Sequence, residues 1–525
     1  MNKTLLSLAA ALACSGAFVA PSAHAVVGTG ALTFSHAWTF THGEATPPAG
    51  SFLSEILAYD SVNQSLWVAG VSGVDVLNAR TGARIGERID VSSAGSINSV
   101  AISNGLAAFA IQAPLQTDNG VVQLYDTTTR SLASGVNSIT VGALPDMVTF
   151  TPDGQRVLVA NEGTPLTYGP RTSGPTSVFP RTFGPAAVDP VGTVSIIDVA
   201  TRTLIVNADP QAASVPQVGS NIRANIGANF EPEYIAVNAA GTRAYVAIQE
   251  ANALGVLNLE TNTFDKVVGL GSKDFSQVGN EIDPLDNGTV DFVTVDNLRG
   301  LYQPDGLATY EAGGKTFIVL ANEGDYREDD GDRSRGSNFG LAAPANNVRV
   351  SNVDSTVGGV VYTAGARSFS IRDENGNLVY DSGSILDRAA AERGLYDDAG
   401  RSDDRGVEPE GLEVLTVGDR TYAFVGLERT TTASVAVFDI TNPLAVSFVD
   451  LLVSPNGDIS PEGLESFTIE GVSYIAFSNE VSNTTSVFAL APVPEPETYA
   501  LMLAGLGLVG WMAKRKTTPA DRTAA

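Results

Sequence analysis

Carboxylates recur in this chain at a fixed place in a repeated phrase. Pro409-Glu410-Gly411-Leu412-Glu413 returns as Pro461-Glu462-Gly463-Leu464-Glu465, and looser versions stand at Ser54-Glu55-Ile56, Pro145-Asp146-Met147, Pro232-Glu233-Tyr234 and Pro304-Asp305-Gly306. Ile97-Asn98-Ser99 is a seventh opening, in which an asparagine replaces the acid. Further acids follow at Glu162, Glu250, Glu323, Glu428 and Glu480, three of them preceded by Asn161, Asn322 and Asn479. Acids brought together must protonate, pair with basic groups or share a cation. Donor sets made only of oxygen suit calcium or magnesium, not zinc. The candidate ligands are Glu55, Asp146, Glu162, Glu233, Asp305, Glu323, Asp325, Glu410, Glu462 and Glu480, with Ca2+ the expected ion. An acid at a fixed place in a repeat can equally bond to the next unit's backbone and hold the fold together, so both readings stay open.

The densest acidic run, Asn322 to Asp332, offers a loop contribution to such a site, although it lacks the spacing and closing Glu of an EF-hand loop. Other chemistry is scarce. The one cysteine, Cys14, falls in an N-terminal leader, and beyond that leader the histidines are His36 and His42. A Ser-His-Asp triad, a Cys-His pair or a His-ligated zinc centre therefore lacks its parts. No glycine-rich phosphate loop opens a helix, and no motif for an organic cofactor is found. Metal-assisted phosphoester hydrolysis is the enzymatic alternative to a binding module, with Arg327, Arg333, Arg335 and Lys273 as phosphate contacts. The sequence assigns no catalytic residue.

The elements that must position these acids are short strands. Gly411–Val417, Thr421–Leu427, Ser434–Ile440 and Leu444–Val453 are β-branched or aromatic runs separated by turn residues. Seven such units predict an all-β fold, a seven-bladed β-propeller of four-stranded blades. The second unit is the weakest match, which leaves six or eight blades open. The last unit has three strands, and the strand at residues 31–41 is expected to supply its fourth and close the ring. Tight turns join first to second strands. The long segments 164–191, 207–230, 272–303, 325–367 and 383–408 all fall at the mouth that holds the acids, where a rigid scaffold usually carries its function.

The ends describe traffic. Lys3, an apolar stretch and Ala23-His24-Ala25 predict a signal peptide over residues 1–25, leaving a propeller domain over residues 26–493. Residues 494–525 form a tail in which Pro494, Glu495 and Pro496 precede an apolar segment at 499–513 and then Lys514-Arg515-Lys516. This tail resembles the PEP-CTERM sorting signal, which implies an exosortase-type sorting enzyme as partner and membrane contact only through that segment before processing. The net charge of -27 argues against nucleic acid or anionic lipid as partners.

Ser54-Glu55-Ile56-Leu57-Ala58-Tyr59-Asp60, Ala160-Asn161-Glu162-Gly163, Tyr302-Gln303-Pro304-Asp305, Ala321-Asn322-Glu323-Gly324-Asp325, Gly365-Ala366-Arg367-Ser368-Phe369-Ser370 and Glu408-Pro409-Glu410-Gly411 together resemble the choice-of-anchor I family. The chain departs from the pattern at Tyr326-Arg327-Glu328. The resemblance is also to mesenchyme-specific cell surface glycoproteins. It implies a propeller at the cell surface, in the envelope or in the extracellular matrix, and the loop-rich face is expected to meet a polysaccharide or protein. It supplies no catalytic residues.

Overall fold

The computed structural model describes residues 31–43, 52–174 and 179–493, so the leader and the sorting tail lie outside the described residues. Within them the chain is all-β, apart from one α-helix at Ile385–Glu392 and two 3-10 turns. Seven sheets follow one another along the sequence, antiparallel except where Gln217–Ser220 pairs parallel with Thr263–Leu270 in the fourth. Their first strands are Ser54–Asp60 (sheet 1), Ser96–Ser103 (sheet 2), Pro145–Phe150 (sheet 3), Pro232–Val237 (sheet 4), Leu307–Ala312 (sheet 5), Pro409–Val417 (sheet 6) and Pro461–Ile469 (sheet 7). Each sheet orders its main strands as they occur in the chain, the pattern of a propeller-like repeat.

Sheet 7 takes its fourth strand from the other end of the domain. Leu32–Thr41 pairs antiparallel with Thr484–Pro492, from Leu32 opposite Pro492 to Thr41 opposite Thr484. His42, just beyond, ties this strand to sheet 1. Its Nδ1 lies 2.9 Å from Asp75 Oδ2, its Nε2 lies 2.8 Å from Thr485 Oγ1, and Arg88 donates to its carbonyl. His36 sits on the same outer strand, and neither histidine lines the cavity that the candidate acids share.

Second and third strands are largely buried because a neighbouring sheet covers each face. Ser65–Gly70 and Ser434–Asp439 are buried throughout. Apolar clusters join each sheet to the next. Trp67 and Val74 of sheet 1 meet Phe109 of sheet 2, and Phe369 of sheet 5 meets Phe438 of sheet 6. Another cluster joins Trp38, Phe467 and Val487 of sheet 7 to Leu57, Leu66 and Val68 of sheet 1. The first strands likewise touch in sequence order, and that of sheet 7 touches that of sheet 1. Each large side chain so buried contributes about 1.5–3 kcal/mol.

The insertions fold rather than trail. Ser272–Asp274, Leu298–Leu301 and Val361–Thr363 form a three-stranded sheet, and Arg333–Arg335 pairs with Arg349–Ser351. Phe275, Leu298, Phe339, Val350 and Val361 share an apolar core against which Phe179 packs. This joint core, with contributions from three insertions, is invisible to a reading based on the repeat.

Candidate functional site

Five of the first-strand acids are delivered by a break in strand pairing. The register shifts between Ser54 and Leu57, Pro145 and Met147, Pro232 and Ile235, Pro409 and Leu412, and Pro461 and Leu464. Glu55, Asp146, Glu233, Glu410 and Glu462 therefore occupy β-bulges, which re-aim a side chain at the rim of a sheet. In five sheets the residue just before the opening is left-handed: Leu53, Leu144, Gln303, Glu408 and Ser460 have φ of 42°, 47°, 39°, 48° and 58°. Backbone bonds then draw in the second-strand acid. Glu162 N donates to Leu144 O at 2.9 Å, Glu428 N to Glu408 O at 3.0 Å, and Glu480 N to Ser460 O at 2.9 Å. The preceding asparagines serve the sheet itself, as where Asn161 bonds to Thr193 and Ser195.

Nine of the ten candidate ligands line one cavity of about 420 Å³: Glu55, Asp146, Glu162, Glu233, Asp305, Glu323, Asp325, Glu410 and Glu462. Glu480 stands just behind, close enough for its charge to act on Glu55 and Glu462. Glu250 and Glu328 line the cavity too. On sheet 2 the acid is replaced by a neutral pair, Asn98 donating to Gln112 Oε1 and to Pro145 O. Ile56, Met147 and Tyr234 line both this cavity and a second one, of about 450 Å³, on its far side.

Burial raises these carboxyls first, and mutual repulsion adds to it. Asp146 is pushed up to about 6, Asp305 to about 7, and Glu55 and Glu250 to about 8. Glu162, Glu233, Glu410 and Glu462 are driven well above the usual carboxylate range by the same causes. Glu323 is also raised by burial, against the pull of Arg405.

Basic residues are distributed unevenly. Arg405, from the insertion before sheet 6, contacts Glu323 Oε1 at 3.0 Å, Asp325 Oδ1 at 3.3 Å and Glu408 Oε2 at 2.6 Å. Arg401 also pairs with Glu408, and Arg429 lies 2.8 Å from Glu428. Among the described residues no ion pair reaches Glu55, Asp146, Glu233, Asp305, Glu410 or Glu462, and no side-chain bond to backbone holds them. Glu233 and Glu410 each keep a buried carboxylate oxygen with no hydrogen-bond partner. Asp305, Glu323 and Glu410 each offer an oxygen within 4.8 Å of the other two, as do Glu323, Glu408 and Glu428. The second trio already holds guanidinium groups. The first, apart from Glu323, does not.

The acidic run 322–332 divides in two. Glu323, Asp325 and Glu328 face the cavity, whereas Asp329, Asp330 and Asp332 bind Arg327, Arg333 and Arg223. Arg327 is only 1% exposed, donates to Ile226 O and Gly169 O, and lies over Phe183. Lys273 is buried against Asp381, Ala366 O and Gly383 O. The expectation that these two contact phosphate is corrected: both lock insertions together. Glu231, Glu408, Arg401 and Arg405 were not legible as site residues, since each lies outside the repeated phrase.

Residues 55–443 match the choice-of-anchor I domain. The chain belongs to the choice-of-anchor I family. Residues 492–516 match the PEP-CTERM protein-sorting motif, which marks this member for export and sorting to the envelope or surface and implies handling by an exosortase-type enzyme. No curated protein matches the chain. Among solved structures it is similar to hydrazine synthase of Kuenenia stuttgartiensis, at 10% identity and TM-score 0.47, over 85% of this chain and 100% of that one. It is also similar to the WD40 domain of Toxoplasma gondii coronin, at 10% identity and TM-score 0.42, over 90% of each chain.

Proposed function

We propose that this choice-of-anchor I protein is a seven-bladed propeller, closed by its N-terminal strand, that binds divalent cations, Ca2+ foremost, in its acidic mouth. It presents the interlocked insertions around that mouth to an extracellular glycan, matrix polymer or protein. The signal peptide is cut after Ala25, and the tail from Pro494 is removed by the sorting enzyme. The observation that carries the cation reading is the convergence of Glu55, Asp146, Glu233, Asp305, Glu410 and Glu462 on one cavity with neither arginine nor backbone to neutralise them. Had these acids been paired, the ring would be a structural clasp. Oxygen-only donors and the close trio Asp305, Glu323 and Glu410 favour a hard ion there.

The hydrolase alternative is weaker, because Arg327 and Lys273 are engaged elsewhere. Calorimetric titration of calcium into the chelator-treated mature chain, with phosphoester turnover followed on the same sample, separates the readings. Stoichiometric binding without turnover, lost in Glu323→Gln and Asp325→Asn, is the expected result. Turnover that depends on calcium would establish the enzyme instead, and an absence of binding would overturn the cation reading.

A further inference from the structure

The repeat allows one position to be compared directly. Glu231 and Glu408 each precede the proline that opens a first strand, in sheets 4 and 6. Glu408 is fully buried and is met by Arg401, Arg405 and Arg429. Glu231 is as deeply buried, at 1% exposure, yet no guanidinium or ammonium pairs with it among the described residues. Its Oε2 lies 3.1 Å from Thr164 Oγ1, and its Oε1 has no partner.

The surroundings repeat the same pattern. Thr164 Oγ1 also touches Glu162 Oε1, but a hydroxyl has one proton and can donate to only one of the two carboxylates. Glu250, 5% exposed, leaves Oε2 unpartnered, and the buried Tyr168 hydroxyl is unpartnered as well. Arg223, whose charge acts on Glu250, is bound to Asp332, Asp354 and the Glu250 carbonyl, and Arg327, over the Tyr168 ring at 4.7 Å, is bound to Asp329. Glu162, Glu231 and Glu250 are thus the counterparts of Glu323, Glu408 and Glu428, with the arginines missing. Unpartnered buried carboxylates cost far more than paired ones.

We infer that Glu162, Thr164 and Glu231, with Glu250 and Tyr168 beside them, form a second cation site, separate from Asp305, Glu323 and Glu410, that takes a calcium-sized divalent ion in place of the arginines. The donors are all oxygens, which excludes soft metals. Glu231 and Glu250 are nearly fully buried, which favours a bare ion over an amine carried on a larger molecule.

The test uses the chelator-treated mature chain with calcium alone, read by calorimetry, and with terbium(III), read by luminescence excited through tyrosine. Glu231→Gln is expected to remove one equivalent of calcium or weaken it by about tenfold, while Asp305→Asn leaves that equivalent in place. Tyr168→Phe is expected to dim the terbium signal without changing the calcium count. Should Glu231→Gln fail to fold, Thr164→Val reads the same loss. Unchanged calcium binding in the folded Glu231 or Thr164 variant overturns the second site. If Asp305→Asn has no effect but Glu231→Gln abolishes binding, the mouth trio fails and this site stands. A wild-type chain that takes up no ion overturns both.

Discussion

The junction of sheets 5 and 6 and the junction of sheets 3 and 4 carry the same acids at equivalent positions: Glu323, Glu408, Glu410 and Glu428 in one, Glu162, Glu231, Glu233 and Glu250 in the other. At the first, Arg405 and Arg429 reach three of the four. At the second, Glu231 meets a threonine hydroxyl, and Glu231 Oε1 and Glu250 Oε2 have no hydrogen-bond partner. The bulge and the second-strand bond that deliver the acids belong to the repeat, whereas Arg401 and Arg405 come from the insertion that precedes sheet 6. One scaffold therefore makes two kinds of acid cluster, one with a built-in counter-charge and one without.

Removing the built-in charge should have the largest effect. Arg405→Met leaves Glu323 buried without its partner and strips Glu408 of one of its three arginines, and it is expected to cost about 3–5 kcal/mol in urea denaturation, with calcium recovering part of the loss. An unchanged midpoint would mean that the two junctions do not differ as described.

Acidity gives the next effect. In the folded chain Asp146, Asp305, Glu55 and Glu250 hold their protons up to about 6, 7, 8 and 8. In the unfolded chain they lose them near the ordinary carboxylate values. Unfolding then releases protons, so stability is fully present below the unfolded values and declines as pH rises towards 8. Thermal melting of the cation-free protein should fall between pH 5 and pH 8, and calcium should raise it more at pH 8 than at pH 5.

Smaller effects sharpen the contrast by sign. In cation-free protein Glu231→Gln relieves repulsion and is expected to stabilise by about 1 kcal/mol. Glu408→Gln removes the anion that three arginines face and should destabilise. Arg429→Ala should change stability least, by about 0–1 kcal/mol, because its side chain is 39% exposed and its pairing is screened.

The acids were legible because one opening recurs, and at Asp146, Glu233, Glu410 and Glu462, each after a proline, a bulge recurs with it, so spacing carried the geometry. The N-terminal strand was legible from a deficit, since the unit beginning at Pro461 lacked an outer strand. What escaped lies in the insertions. Nothing periodic marks Arg405 as a partner of Glu323, and nothing local shows that Arg327 packs on Phe183 instead of facing the mouth. Glu231 was missed because it stands one residue before the phrase that drew attention, and its isolation shows only when its neighbours are in place.

The central claim, a divalent cation held in the acidic mouth, is tested most directly by anomalous diffraction from crystals of the mature chain soaked in manganese or terbium. The account predicts a peak among the carboxylates of Asp305, Glu323 and Glu410, at ligand distances of about 2.0–2.6 Å. A cavity with no peak at saturating ion, its acids unchanged, would contradict it.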